Sequence, residues 1–145
     1  MKKHLLLLSM LLAACTRGAT IDANATPTAA SPATADRVFE IRTYTTFDGK
    51  LNDLNARFRD HTTRLFAKHG MVNIGYWIPQ DSLRSHNTLI YIIAHPSRAL
   101  AAQHWTEFGQ DPEWQKARAA SEANGKIVQK VESVFVDPTD YSPIK

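Results

Sequence analysis

Hydrophobic and polar residues change period several times along this chain, and each change predicts an element. From Arg37 to Thr45 the chain alternates with period two and is rich in β-branched and aromatic residues, which predicts a strand. Asp48-Gly49 ends it, and Asp48 offers an N-cap. Leu51, Leu54, Phe58, Thr62, Leu65 and His69 then recur at steps of three and four, the spacing of an amphipathic helix. Gly70 stands where a helix C′ residue belongs. Met71 to Ile78 reads as a second strand stopped by Pro79, residues 80–86 as a polar loop, and Thr88 to His95 as a third strand. Ser97 caps a second helix, which Gly109 is expected to interrupt. Asp111-Pro112 restarts it, with Asp as N-cap and Pro at the first helical position. Asn124-Gly125 stops it, Ile127 to Val136 is a last strand, and a short tail follows.

The order β-α-β-β-α-β predicts an α+β fold. Its expected form is ferredoxin-like, a four-stranded antiparallel sheet with two helices on one face. Leu89 to Ala94 is apolar on both alternating sets, as in a strand buried on both faces. Helices cover only one face in this topology, so a second copy of the chain is the expected cover of the other. In the first strand Phe39 and Ile41 are expected to face the helices. Glu40, Arg42 and Tyr44 take the other side, with Lys130 and Glu132 of the last strand opposite Glu40 and Arg42.

The first 36 residues read differently. Met1 to His4 is basic, Leu5 to Leu12 is apolar but for Ser9, and two alanines precede Cys15. That is a secretory signal, and the apolar run is far short of the ~20 residues a spanning helix needs. Leu12-Ala13-Ala14-Cys15 resembles the bacterial lipobox, which implies cleavage before Cys15 and a lipid on its sulfur. Residues 1–14 are then signal peptide. Residues 15–36, rich in Ala, Thr, Ser and Pro, form a disordered tether spanning roughly 25 Å. Residues 37–145 are the folded domain. The expected place is the cell envelope, facing the periplasm. Thr16, where an Asp signals inner-membrane retention, points to the outer membrane.

Composition narrows the chemistry. Cys15 is the only cysteine, so the mature domain has neither disulfides nor a cysteine nucleophile. Removing Lys2 and Lys3 with the signal leaves 15 basic against 14 acidic residues, and no basic stripe for nucleic acid. No histidine pair has metal-ligand spacing. Gly-rich phosphate loops and Gly-x-Ser-x-Gly elbows are absent, and no cofactor is implied.

Glu40-Ile41-Arg42-Thr43-Tyr44, Lys68-His69-Gly70, Gly75-Tyr76-Trp77 and Asp111-Pro112-Glu113-Trp114 occur in order on the elements just read. Together they resemble the NIPSNAP family over roughly Val38 to Val136. The resemblance implies a dimeric α+β barrel, in which two ferredoxin-like sheets pack face to face. Wider relatives include small monooxygenases and isomerases, but the family has no well-defined reaction to carry over.

The candidate ligand site is a pocket between the first helix and the sheet. His61, bordering the helix's apolar face, is either its titratable group or a hydrogen-bonded core histidine. Trp77 and Tyr91 would be apolar walls. Arg42 with Tyr44 would hold an anionic end or, alternatively, sit in the dimer interface. Trp105 and Trp114 read as core or pocket wall; His86, His95 and His104 have no partner spacing. The reading is a membrane-tethered, homodimeric binding or scaffold domain that takes a small molecule, with a cofactor-free oxygenase or isomerase as the alternative.

Overall fold

The computed structural model describes residues 37–145; Cys15 and the segments read as signal peptide and tether lie outside them. Four strands, β1 (Val38–Thr46), β2 (Val72–Trp77), β3 (Thr88–His95) and β4 (Val128–Val136), form one sheet. Its order is β2-β3-β1-β4, with every neighbouring pair antiparallel. This is the ferredoxin-like α+β arrangement. Both crossovers are helical. The first comprises α1 (Leu51–Arg57), a π-helical turn (Phe58–Thr62) and α2 (Thr63–Lys68); the second comprises α3 (Arg98–Gln110) and α4 (Pro112–Ser121).

Most boundaries follow from local chemistry. Gly70 ends the first helical run at φ +75°, a conformation that a Cβ disfavours. Ser97 caps α3 by accepting from the Leu100 amide at 3.2 Å, and Asp111 caps α4 by accepting from the Glu113 amide at 2.8 Å. Two boundaries differ from expectation. Gly109 does not interrupt α3, which continues to Gln110. The break falls at Asp111, whose extended ψ of 120° is what the following proline imposes. Asp48 does not cap α1. Lys50 occupies that position, with no side-chain cap bond.

The core lies between the helices and one face of the sheet. Leu54, Leu65, Phe66, Tyr91, Ile93 and Ile127 are essentially fully buried in it. Here the reading of β1 is corrected. Glu40, Arg42 and Tyr44 face the helices, and Phe39 and Ile41 point to the opposite face. Glu40 bonds Trp105 of α3, and Tyr44 meets Phe58 of the π turn. The β4 register follows suit. Ser133 pairs with Arg42 and Phe135 with Glu40, whereas Glu132 and Lys130 pair with Thr43 and Thr45.

The outer face carries Ile41, Ile90 and Ile92, partly exposed in the single chain. Val72, Trp77 and Val134 are about half exposed, at 45, 50 and 58%. The C-terminal tail covers one end of this face. Pro138 and Ile144 line a groove with Phe39, Ile92 and Val136, and the tail is tied to the start of β1 through Arg37 Nη1 and the Lys145 carbonyl.

Candidate functional site

The π turn begins the site. In it Thr63 N–H donates to the Phe58 carbonyl, five residues back, and the Thr62 hydroxyl donates to the Arg57 carbonyl at 3.2 Å. The extra residue in the turn leaves both Phe58 and Thr62 buried, and π turns of this kind recur at functional sites. Between this turn, α4 and the β1–β4 side of the sheet lies a cavity of about 350 Å³. That volume is at the lower end of the roughly 300–1,000 Å³ of small-molecule sites.

Its wall is aromatic. Tyr44, Phe58, Phe66, Phe108 and Trp114 line it, and each ring is braced by the next. Tyr44–Phe58, Phe58–Phe66 and Phe66–Phe108 meet edge to face at 6.0, 6.1 and 4.9 Å, and Phe108–Trp114 tilt at 4.5 Å. Such rings lose little entropy on contact with a ligand because packing has already fixed them.

Its charged lining comes from α1, from α4 and the residue that follows it, and from the turn before β4: Arg57, Arg118, Glu122 and Lys126. Glu122 is the single carboxylate among the lining residues. Its Oε1 accepts from Arg57 Nη1 at 3.1 Å and its Oε2 from Arg118 Nε at 3.3 Å. Burial would raise its pKa, but the Arg57 bond and the charges of Arg57 and Arg118 lower it on balance. Glu122 is thus a fixed anion and a weak base.

A second polar line runs beneath α3, behind the cavity wall. Glu40 is 1% exposed. It accepts from Arg42 at 2.5 Å, Ser133 at 2.5 Å and Trp105 at 2.7 Å. His95 Nε2 approaches it at 3.4 Å, and His95 Nδ1 lies 3.1 Å from His104 Nδ1. The two rings thus share a contact between their Nδ1 atoms, whose direction follows the tautomers they adopt. Burial, then the neighbouring His95, lowers the pKa of His104. Arg42 stacks on Trp105 at 4.2 Å and donates to the Tyr44 hydroxyl at 3.4 Å, which connects this line to the cavity.

The structure divides the residues singled out from sequence. Tyr44 lines the cavity and Arg42 touches it through Tyr44, so the pair faces the helices and not the outer sheet face. Tyr91 is fully buried just behind the wall, packed on Tyr44, Phe58 and Phe66; its hydroxyl is buried and has no hydrogen-bond partner among the described residues. Trp77 is on the sheet edge, folded over Gly75. His61 lies in a separate shallow groove with Asp53, Asp60 and Ala117. His61, Trp77 and Tyr91 therefore do not converge. Trp114 does line the cavity, and Trp105 serves Glu40 and the core.

Sequence reasoning missed Arg57, Arg118, Glu122 and Lys126: the last three follow one another at four-residue steps but form no recognisable motif, and Arg57 stands far from them on the first helix. It also missed His95–His104, on a strand and the next helix. Asp111, read only as a cap, also accepts from Lys68 at 2.6 Å and sits 2.7 Å from His69 Nε2, joining α2 to α4. Among the described residues no group of three or more His, Cys, Asp or Glu is placed to hold a metal ion.

The NIPSNAP family model matches residues 39–143. No curated protein matches the chain. Among solved structures, it is similar to a NIPSNAP family protein with unknown function from Agrobacterium tumefaciens. That pair has a TM-score of 0.64 and 20% identity over 77% of this chain and 96% of that one. A NIPSNAP-like domain protein from Burkholderia xenovorans gives a TM-score of 0.64 at 15% identity, over 75 and 90% of the two chains. SnoaB, a cofactor-independent oxygenase from Streptomyces nogalater, gives 0.50 at 14% identity, over 75 and 99%. At these identities the likenesses are of fold.

Proposed function

The chain belongs to the NIPSNAP family, and from that premise we propose that it is a membrane-tethered lipoprotein whose domain binds a small molecule between helices and sheet. The observation that carries this is the preformed cavity of about 350 Å³ with its braced aromatic wall. A scaffold domain has no need of such a space and would fill it with its own side chains. The enzyme alternative needs a group free to take or give a proton, and the one carboxylate lining the cavity is paired on both oxygens. Binding is accordingly the better-supported role. Val131 lines the cavity mouth and is 45% exposed, so Val131→Trp should plug it without disturbing the core. A thermal-shift screen should find compounds that raise the melting temperature of the native protein but not of this variant. Hits that stabilise both equally would refute the cavity as the site.

The tether and the assembly are part of the same proposal. The signal layout and Leu12-Ala13-Ala14-Cys15 support a lipid on Cys15, a periplasm-facing domain and, through Thr16, the outer membrane. Two or more acyl chains make an anchor where one does not. The half-exposed Val72, Trp77 and Val134 on the outer sheet face support a homodimer formed sheet to sheet. Val134→Asp, on the edge strand β4 beside Ile41 of that face, should convert a sedimenting dimer to a monomer; a wild-type monomer at micromolar concentration would refute the dimer.

A further inference from the structure

We propose that the cavity takes a planar aromatic molecule of two or three fused rings bearing one carboxylate; this rests on the small-molecule reading above. The flat part follows from the wall. Phe58, Phe108 and Trp114 present ring faces and edges held in place by their neighbours, and another ring system meets them with the offset or edge-on geometry aromatic pairs prefer.

The anionic part follows from the charges around it. Arg57, Arg118 and Lys126 line the cavity against Glu122 alone, an excess of two positive charges. Arg57 makes the case specific. It is 5% exposed, and its guanidinium lies over Trp114 at 5.4 Å. It bonds only through Nη1, to Ser121 and Glu122, and its buried Nε has no partner among the described residues. Lys126 makes no ion pair among the described residues and adds a second cation at the mouth. One ligand carboxylate would pair with Lys126, lie beside Arg57 and Arg118 and reduce the positive excess while its rings fill the aromatic wall.

Calorimetric titration of the full chain with three probes separates the parts. 2-Naphthoate should bind about tenfold or more tightly than 2-naphthalenemethanol, which has the same rings without the charge, and than octanoate, which has the charge without the rings. Val131→Trp should abolish naphthoate binding. Lys126→Gln, an exposed change that leaves the Arg57 network intact, should lower the acid-to-alcohol affinity ratio. Equal binding of the alcohol overturns the anionic assignment, and equal binding of octanoate overturns the aromatic one. In both cases loss of binding in Val131→Trp preserves the cavity as a small-molecule site. If none of the three probes binds, this ligand class is wrong; if the thermal-shift screen also fails, the binding reading falls with it.

Discussion

Replacing Glu40 with Gln tests the buried line beneath α3. Gln keeps one acceptor oxygen and puts an amide where the other was, so one of the donors Arg42, Ser133 or Trp105 must then face a donor. A hydrogen bond to a charged group contributes about 1.5–3 kcal/mol, and removing one partner of a buried ion pair costs about 3–5 kcal/mol. Arg42 is 15% exposed and stacked on Trp105, so it keeps some solvation and cation–π contact. The expected loss is at the lower end, about 3 kcal/mol, or roughly 10–20 °C in melting temperature for a domain of this size. The pH dependence is a second signature. Burial by itself would raise the Glu40 pKa. The nearby His95 ring, the hydrogen bonds from Ser133 and Trp105 and the Arg42 charge outweigh it and lower the pKa from 4.5 to about 2. A carboxylate with a depressed folded-state pKa adds stability that is complete above its unfolded value and is lost as pH falls through the folded one. The native protein should therefore lose stability between about pH 4.5 and 2 along a slope that Glu40→Gln lacks. Urea unfolding followed by circular dichroism at pH 7 and pH 3 measures both. A loss under about 1 kcal/mol at pH 7, or the same difference at both pH values, would refute the reasoning.

Two glycines should respond in opposite directions. At Gly70, with φ +75°, a Cβ would sit 2.8 Å from His104 Nε2, so Gly70→Ala should cost about 2 kcal/mol through left-handed strain and a displaced His104. At Gly109 a Cβ meets nothing within 4 Å inside α3, so Gly109→Ala should add about 0.5–1 kcal/mol in the same unfolding assay. His61→Ala, in its shallow surface groove, should leave stability within about 0.5 kcal/mol; a large drop in melting temperature would show a packing role instead. Cys15→Ser should release the protein from the membrane fraction or leave it unprocessed, and unchanged cleavage with unchanged co-sedimentation would exclude lipidation there.

The elements were legible because their signals are local. Alternation marks β1, a continuous apolar run marks β3, a period of three and four marks the first helical run, and Gly70, Ser97 and Asp111-Pro112 mark ends through their own backbone chemistry. The face of β1 was not legible. Hydrophobicity favours Phe39 and Ile41 inward, yet Glu40 and Arg42 go in because Trp105, Ser133 and His95 arrive from three other elements to satisfy them. No window of sequence contains that set. The cavity is similar. Tyr44 was identifiable as half of a polar pair on one strand, but Arg57, Glu122 and Lys126 gain meaning only when α1, α4 and the approach to β4 are brought together. Trp77 and His61 carried the right chemistry on the wrong side of their elements.

The π turn has a further consequence, for how this chain tolerates changes in length. One residue added to a regular helix rotates everything after it by about 100° about the helix axis. A π turn takes up such a residue by widening locally, so the run beyond it keeps its face toward the sheet. Leu51 and Leu54 before the turn, and Leu65 and Phe66 after it, all reach the core. Arg59 and Asp60 within the turn are exposed. Deleting either one would let the turn relax to an ordinary helix with little change in the direction of Leu65 and Phe66, whereas the same deletion inside α1 or α2 would rotate the following pair away from the core. The wide turn is thus the place in this crossover where the chain tolerates the loss of a residue.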